Sequence, residues 1–288
     1  MNDLSAADDG PALAIGRSSS MHMDGTMSSR ESRAWKLGKF ARGKRTFVGE
    51  LEGDLVLETD ACCMMDAIRY GVEPTARRHK LAELRTLAPV DRPSKLICIG
   101  LNFKSHIAEM KAPTPKEPII FSKPSSAVIG PGDAIRLPEM SSRVDFEGEC
   151  AIVIGKRASH AKSGLKHIFG YTCLNDVTAR DLQKTDVDWT RAKGFDTFAP
   201  VGPYIANTVP TRVATRLNGK TVQAAPLSDR VFGDATLVEY ISKIMVLEPG
   251  DIIATGTPSG IAPMKEGDTV EVELDSVGNL RNQVVRER

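Results

Sequence analysis

Val144-Asp145-Phe146-Glu147-Gly148-Glu149-Cys150 runs directly into Ala151-Ile152-Val153-Ile154, and no other stretch limits the fold so tightly. The second half is unbroken apolar sequence, as expected of a strand buried on both faces. The first half carries acids, and a strand places residues i and i+2 on one face. Glu147 and Glu149 therefore point the same way on a strand that enters the protein body. Like charges side by side destabilise a strand. A cation between them reverses that, and oxygen-only ligands suit Mg²⁺ or Mn²⁺ rather than zinc or copper. The competing reading is a half-exposed strand with a polar face, because acids at this spacing are common on surfaces. Asp176, in Asn175-Asp176-Val177-Thr178-Ala179-Arg180-Asp181, is the third acid of interest.

The surrounding pattern is mostly strand and turn. Gly132-Asp133, Gly250-Asp251 and Gly267-Asp268 each precede an apolar or alternating run. The last run, residues 269–274, alternates as a half-exposed strand should. Its Glu271 and Glu273 repeat the i, i+2 spacing and read as a solvated face. Residues 235–245 form an amphipathic helix with Asp234 as N-cap. Towards the N-terminus, residues 35–40, 45–51 and 55–57 read as strands, with a hairpin turn at Glu52-Gly53-Asp54. Residues 64–70 read as a helix ending before Gly71, and the basic residues 75–87 as a second short helix. Residues 88–93 carry two prolines and read as a linker. The expected organisation is a disordered leader over 1–32, a small α/β domain over 33–90 and a catalytic domain over 91–288. No Rossmann or Walker glycine pattern occurs.

Composition narrows the functional class. The chain has 288 residues, with 38 Lys+Arg against 37 Asp+Glu. That balance points to neither nucleic acid nor an anionic membrane as partner. No run of 18 apolar residues exists to span a bilayer. The five cysteines lack a C-x-x-C spacing and read as free thiols in a reducing, cytoplasmic compartment. The adjacent Cys62 and Cys63 read as small buried hydrophobes. Residues 1–32 lack the apolar segment of a secretory signal and are too acidic for a mitochondrial presequence.

Six ordered blocks carry a resemblance. They are residues 99–109, 121–133, 145–149, 170–183, 193–203 and 247–260, among them Asp145-Phe146-Glu147-Gly148-Glu149, Asn175-Asp176-Val177-Thr178-Ala179-Arg180-Asp181 and Thr255-Gly256-Thr257-Pro258. Together they resemble the fumarylacetoacetate hydrolase family. The resemblance implies a mixed, β-rich α+β fold with a β-roll or sandwich catalytic domain. It also implies a homodimer, a small 2-oxo acid as substrate and a bound Mg²⁺ or Mn²⁺. Glu147, Glu149 and Asp176 match the metal ligands of such enzymes. His106 and Glu109, three residues apart on one face of a helical turn, match the pair that activates water in family hydrolases. Lys193 matches a lysine that stabilises enolate charge. Arg180, Gln183, Gly256 and Thr257 match positions that hold substrate, and Asp145 stands behind the ligands. Phe103, Tyr171 and Trp189 are candidates for either the pocket or the core. Leu101 departs from some acylpyruvase-like members, which carry Arg there.

The implied chemistry is hydrolysis of a 2,4-dioxo acid to pyruvate and a carboxylic acid through an enolate. A loop around Pro113, Pro115 and Pro118 would close as a lid. The alternatives are oxaloacetate decarboxylation and the isomerisation or hydration of an oxo-dienoate, since one enolate-stabilising site serves all of them. A noncatalytic metabolite-binding relative is disfavoured by the complete set of matching residues.

Overall fold

The computed structural model describes residues 33–287, so the expected leader lies outside the described residues. Ala34–Arg288 form one compact unit. A twelve-stranded sheet and a five-stranded sheet dominate it, with a two-stranded pair between Val144–Asp145 and Thr178–Ala179. The fold is β-rich with few helices, as the sequence pattern predicts.

The apolar runs are explained by burial on both faces. Strand Leu96–Gly100 sends Ile97 and Ile99 into one core and Leu96 and Cys98 into another. Strand Gly148–Ile154 likewise divides Cys150, Ile152 and Ile154 from Ala151 and Val153. The first core is closed by Val213, Val272, Leu274 and Leu280 of the five-stranded sheet and by Leu237, Val238 and Ile241 of helix Asp234–Ile244. The second is closed by Met64, Ala67 and Ile68 of helix Met64–Tyr70. Each fully buried side chain of this size contributes about 1.5–3 kcal/mol to folding.

The three Gly-Asp pairs are one turn device used three times. Each glycine has a left-handed φ, between 78° and 88°. Each aspartate accepts the N–H three residues earlier, from Gly130, Glu248 and Lys265, at 2.7–2.9 Å. The turns launch strands Ala134–Leu137, Ile252–Ala254 and Thr269–Leu274. On the last of these, Glu271 and Glu273 pair with Arg281, Arg212 and Arg216, so the second acid pair is a polar face as expected.

The N-terminal strands Lys36–Arg42, Arg45–Glu52 and Leu55–Thr59 extend the large sheet, because Lys36 and Leu37 pair with Ala206 and Ile205 of strand Ala199–Ala206. Three local expectations are corrected. Residues 75–87 are not a helix: Pro74–Lys80 pairs with Leu55–Thr59 as an edge strand, and a single turn at Leu81–Glu83 lets Leu81 and Leu84 pack on Phe40, Phe47 and Val56. Cys62 and Cys63 are exposed, at the bend before helix Met64–Tyr70, whereas Cys98, Cys150 and Cys173 are buried. Asp234 is not the N-cap: Gly233 holds that position, and the Asp234 carboxylate accepts from Arg230 at 2.7 Å and from the Tyr171 hydroxyl at 3.1 Å. No helix among the described residues is long and apolar enough to cross a membrane.

Candidate active site

The acid-bearing strand is interrupted where the sequence suggests continuity. Val144–Asp145 pairs with Thr178–Ala179, and the large-sheet strand restarts at Gly148. Across the gap the Glu147 N–H donates to the Asn175 side chain at 2.9 Å, and the Asp176 N–H donates to the Glu147 carbonyl at 2.8 Å. Gly148 follows because a Cβ there would lie 2.0 Å from the Thr215 hydroxyl. These links bring one carboxylate oxygen from each of Glu147, Glu149 and Asp176 within 4.8 Å of one another. All three residues are at most 5% exposed.

Cations surround the acids. Lys193 Nζ lies 2.9 Å from Glu147 and 2.6 Å from Asp176. Lys123 Nζ lies 2.6 Å from the other Asp176 oxygen and donates to the Val177 carbonyl at 2.9 Å. Arg180 pairs with Glu147 and, at 2.9 Å, with Asp145, which also receives Arg143 at 2.9 Å. Four carboxylates, Asp145, Glu147, Glu149 and Asp176, thus stand among four cations, Lys123, Arg143, Arg180 and Lys193.

The sharing is unequal. Glu149 touches none of these cations and accepts one backbone hydrogen bond, from Gly256 at 2.7 Å. Burial drives its carboxyl well above the usual range, and the nearby Asp176 and Glu147 push it further. Burial acts the same way on Glu147, but Lys193 and Arg180 outweigh it and hold that carboxyl well below its usual value. A buried carboxylate without a charge partner is costly. Three convergent oxygen donors, one of them lacking a cation, fit a hard divalent ion such as Mg²⁺ or Mn²⁺.

The acids open on a cleft of about 270 Å³. His106, Arg180, Gln183, Lys193 and Thr257 line it together with the three acids. His106 and Glu109 lie on the short helix Lys104–Glu109. Glu109 accepts from His106 Nδ1 at 2.9 Å with one oxygen and from the Gly260 N–H at 2.9 Å with the other. Ser105, whose N–H and hydroxyl both donate to Asp229, fixes the helix start. Glu109 and Gly256 act on the cleft through His106 and Glu149 rather than as its lining. The Thr257 hydroxyl is already engaged, donating to the Gly148 carbonyl and accepting from Gln223, both at 2.9 Å.

Of the three aromatic candidates, only Trp189 lines the cleft, packed edge-on against Phe121 at 5.0 Å. Phe103 and Tyr171 belong to the core. Lys123 is a charged residue of this cluster whose role no local sequence signal gives away. It ends the strand Ile119–Lys123 just before Pro124, and a terminal strand lysine is ordinarily solvated.

A family model, the C-terminal domain of fumarylacetoacetate hydrolase, matches residues 95–285. The chain belongs to the fumarylacetoacetate hydrolase family. It is 41% identical over 221 residues to the mitochondrial oxaloacetate tautomerase FAHD2A of Bos taurus, covering 71% of this chain and 70% of that protein. The structure of a 2-hydroxyhepta-2,4-diene-1,7-dioate isomerase from Mycobacterium marinum superposes with a TM-score of 0.79 at 39% identity, over 88% of this chain and 99% of the other. Maleylpyruvate hydrolase from Sphingobium, solved with manganese(II) and pyruvate, superposes with a TM-score of 0.73 at 30% identity, over 88% and 100%. Members of one family thus bear the names of a tautomerase, an isomerase and a hydrolase.

Proposed function

We propose that this protein is a divalent-metal-dependent enzyme acting on small 2-oxo acids, with hydrolysis of a 2,4-dioxo acid to pyruvate and a carboxylic acid as its leading reaction. The observation that carries this reading is His106, backed by Glu109, opening on the same cleft as Glu147, Glu149 and Asp176. In this reading those three carboxylates hold Mg²⁺ or Mn²⁺, an ion that supplies Lewis acidity towards a 2-oxo group. The manganese in the Sphingobium hydrolase supports that assignment.

The chain's own groups supply the rest. Glu109 accepts the Nδ1 proton of His106 and leaves Nε2 free as a base. His106 takes a proton from the water that attacks C4. The C3–C4 bond then breaks, its electron pair passes into a pyruvate enolate, and His106 returns the proton to C3. Lys193 provides positive charge beside the developing enolate. Arg180, Gln183 and Thr257 shape the walls that hold the substrate, and Gly256 positions Glu149 through its N–H.

A second reading is tautomerisation or decarboxylation of an oxaloacetate-type acid. It is supported by the 41% identity to a tautomerase, and it needs no activated water. His106→Ala separates the two. Losing a positioned general base should slow acylpyruvate cleavage about a hundredfold or more, while any oxaloacetate decarboxylation survives. Pyruvate release from acetylpyruvate and from oxaloacetate, with metal content checked, is the measurement. Parental acetylpyruvate cleavage by the variant removes His106 as the base. Loss of both activities with metal retained moves His106 to the shared enolate step and favours the second reading.

A further inference from the structure

Two of the five cysteines do not serve the core. Cys98, Cys150 and Cys173 are buried, whereas Cys62 and Cys63 stand exposed in the bend before helix Met64–Tyr70. Asp66, in the first turn of that helix, completes a trio with them. One ligand atom from each of the three lies within 4.8 Å of the other two. The trio shares no residue with the lining of the cleft.

These side chains do not do the work their positions usually give them. Cys63 is the N-cap, yet its side chain makes no capping bond. Asp66 stands three residues on, where an acid ordinarily reaches back to the N-cap N–H. It accepts instead from the Cys62 thiol at 2.5 Å. The backbone around the trio is fixed on both sides. The Asp60 N–H donates to the Glu73 carbonyl at 3.0 Å, and the Glu73 N–H donates to the Asp60 carboxylate at 2.8 Å. Met64, Ala67 and Ile68 anchor the helix in the core below.

Two sulfurs and one carboxylate differ in kind from the all-oxygen set of the cleft. Thiolates select zinc and other soft ions over Mg²⁺ and Mn²⁺. A tetrahedral zinc ion holds sulfur at about 2.3 Å and carboxylate oxygen at about 2.0–2.2 Å, which sets its ligand atoms roughly 3.5–3.8 Å apart. Small side-chain rotations bring the trio to that spacing. The proton between Cys62 and Asp66 marks the place the ion takes, and binding releases it.

We propose that Cys62, Cys63 and Asp66 form a second metal site, which takes one zinc-class ion with water as its fourth ligand. The ion ties the bend to the first turn of the helix and stabilises that segment without entering the chemistry of the cleft. This site stands whether or not the cleft reading does.

The test is titration of the full chain with Cd²⁺, a zinc-class probe, under a phosphine reductant and with excess Mg²⁺ to occupy oxygen-only sites. The readout is the ultraviolet thiolate-to-cadmium absorption band. The parent should develop the band to an end point of one Cd²⁺ per chain, and Zn²⁺ should compete it away where Mn²⁺ does not. Cys62→Ser combined with Cys63→Ser should abolish it. Asp66→Asn should keep the band and weaken affinity about tenfold, on the order of a lost ligand. The substituted side chains lie outside the core, so the metal-free variants should melt with the parent. No band in the parent overturns the site. A band undiminished in the double variant places the ion on other thiols and overturns it too. Affinity unchanged in Asp66→Asn overturns the three-ligand set.

Discussion

Glu149 and Lys123 show how differently two buried charges are treated. Glu149 receives a single backbone donor, whereas Lys123 is held by Asp176 and the Val177 carbonyl. Removing Glu149 therefore takes away a buried carboxyl that no cation compensates, and Glu149→Ala should fold with an undiminished melting temperature in the metal-free state. It also deletes a proposed metal ligand, so affinity for Mn²⁺ should fall at least about tenfold, a loss of about 1.4 kcal/mol. Calorimetric titration decides this, and equal affinity in parent and variant would remove Glu149 from the metal site. Lys123→Met should behave in the opposite way. It leaves Asp176 buried with one cation fewer, and breaking a buried pair costs about 3 kcal/mol. A large drop in the denaturant midpoint of the metal-free variant is expected, and a midpoint unchanged from the parent would show that Lys193 alone supports Asp176.

Strand Leu55–Thr59 carries a second ionic cluster, remote in sequence from the cleft residues. Glu58 is buried and receives Arg45, Arg77 and His79. The Arg45 hydrogen bond leads in pulling its carboxyl down from 4.5 to about 2, against burial, with His79 and Arg77 adding to it. A lowered carboxylate stabilises the fold above its ordinary range, and that contribution is lost as pH falls towards about 2. Glu58→Gln should therefore be less stable than the parent at pH 7, and the gap in denaturant midpoint should close between pH 4.5 and pH 2. A gap independent of pH would show that packing, not charge, accounts for the loss. This cluster also marks where the sequence stops being legible. The strands over 36–59 and the helix Met64–Tyr70 follow from alternation and from Gly71, which are local signals. The edge strand Pro74–Lys80 does not, because its Arg77 and His79 meet Glu58, roughly twenty residues away. In the cleft the same division holds. Glu147, Glu149, Asp176 and His106 stand in recognisable blocks, whereas Lys123 matters only because folding carries it to Asp176, 53 residues on. The break at residues 146–147 was hidden for the same reason, since the Asn175 side chain replaces a strand partner there.

Across the whole molecule the candidate ligands tie together parts of the fold that meet only in the native state. Glu147 precedes one central strand, Glu149 is its second residue, and Asp176 follows its neighbour, with Gly256 after a third strand donating to Glu149. An unfolded chain has no means of presenting these groups together. A divalent ion that binds this set should thus bind the folded state and not the unfolded one, and it should stabilise the protein by mass action. At a hundred times its dissociation constant the gain is about 2.7 kcal/mol. For a chain of this length each kcal/mol raises the melting temperature by about 2–4 °C, so Mn²⁺ or Mg²⁺ should shift it upwards by several degrees, reversibly with a chelator. Calcium-free scanning calorimetry of the parent and of Glu149→Ala, each with and without Mn²⁺, checks the link between ion and ligand. The variant should shift less than the parent at the same ion concentration, since a site tenfold weaker keeps only about 1.4 of the 2.7 kcal/mol. A shift of equal size in both would place the stabilising ion elsewhere, and Cys62, Cys63 and Asp66, whose ligand atoms also lie within 4.8 Å of one another, would be the next group to replace.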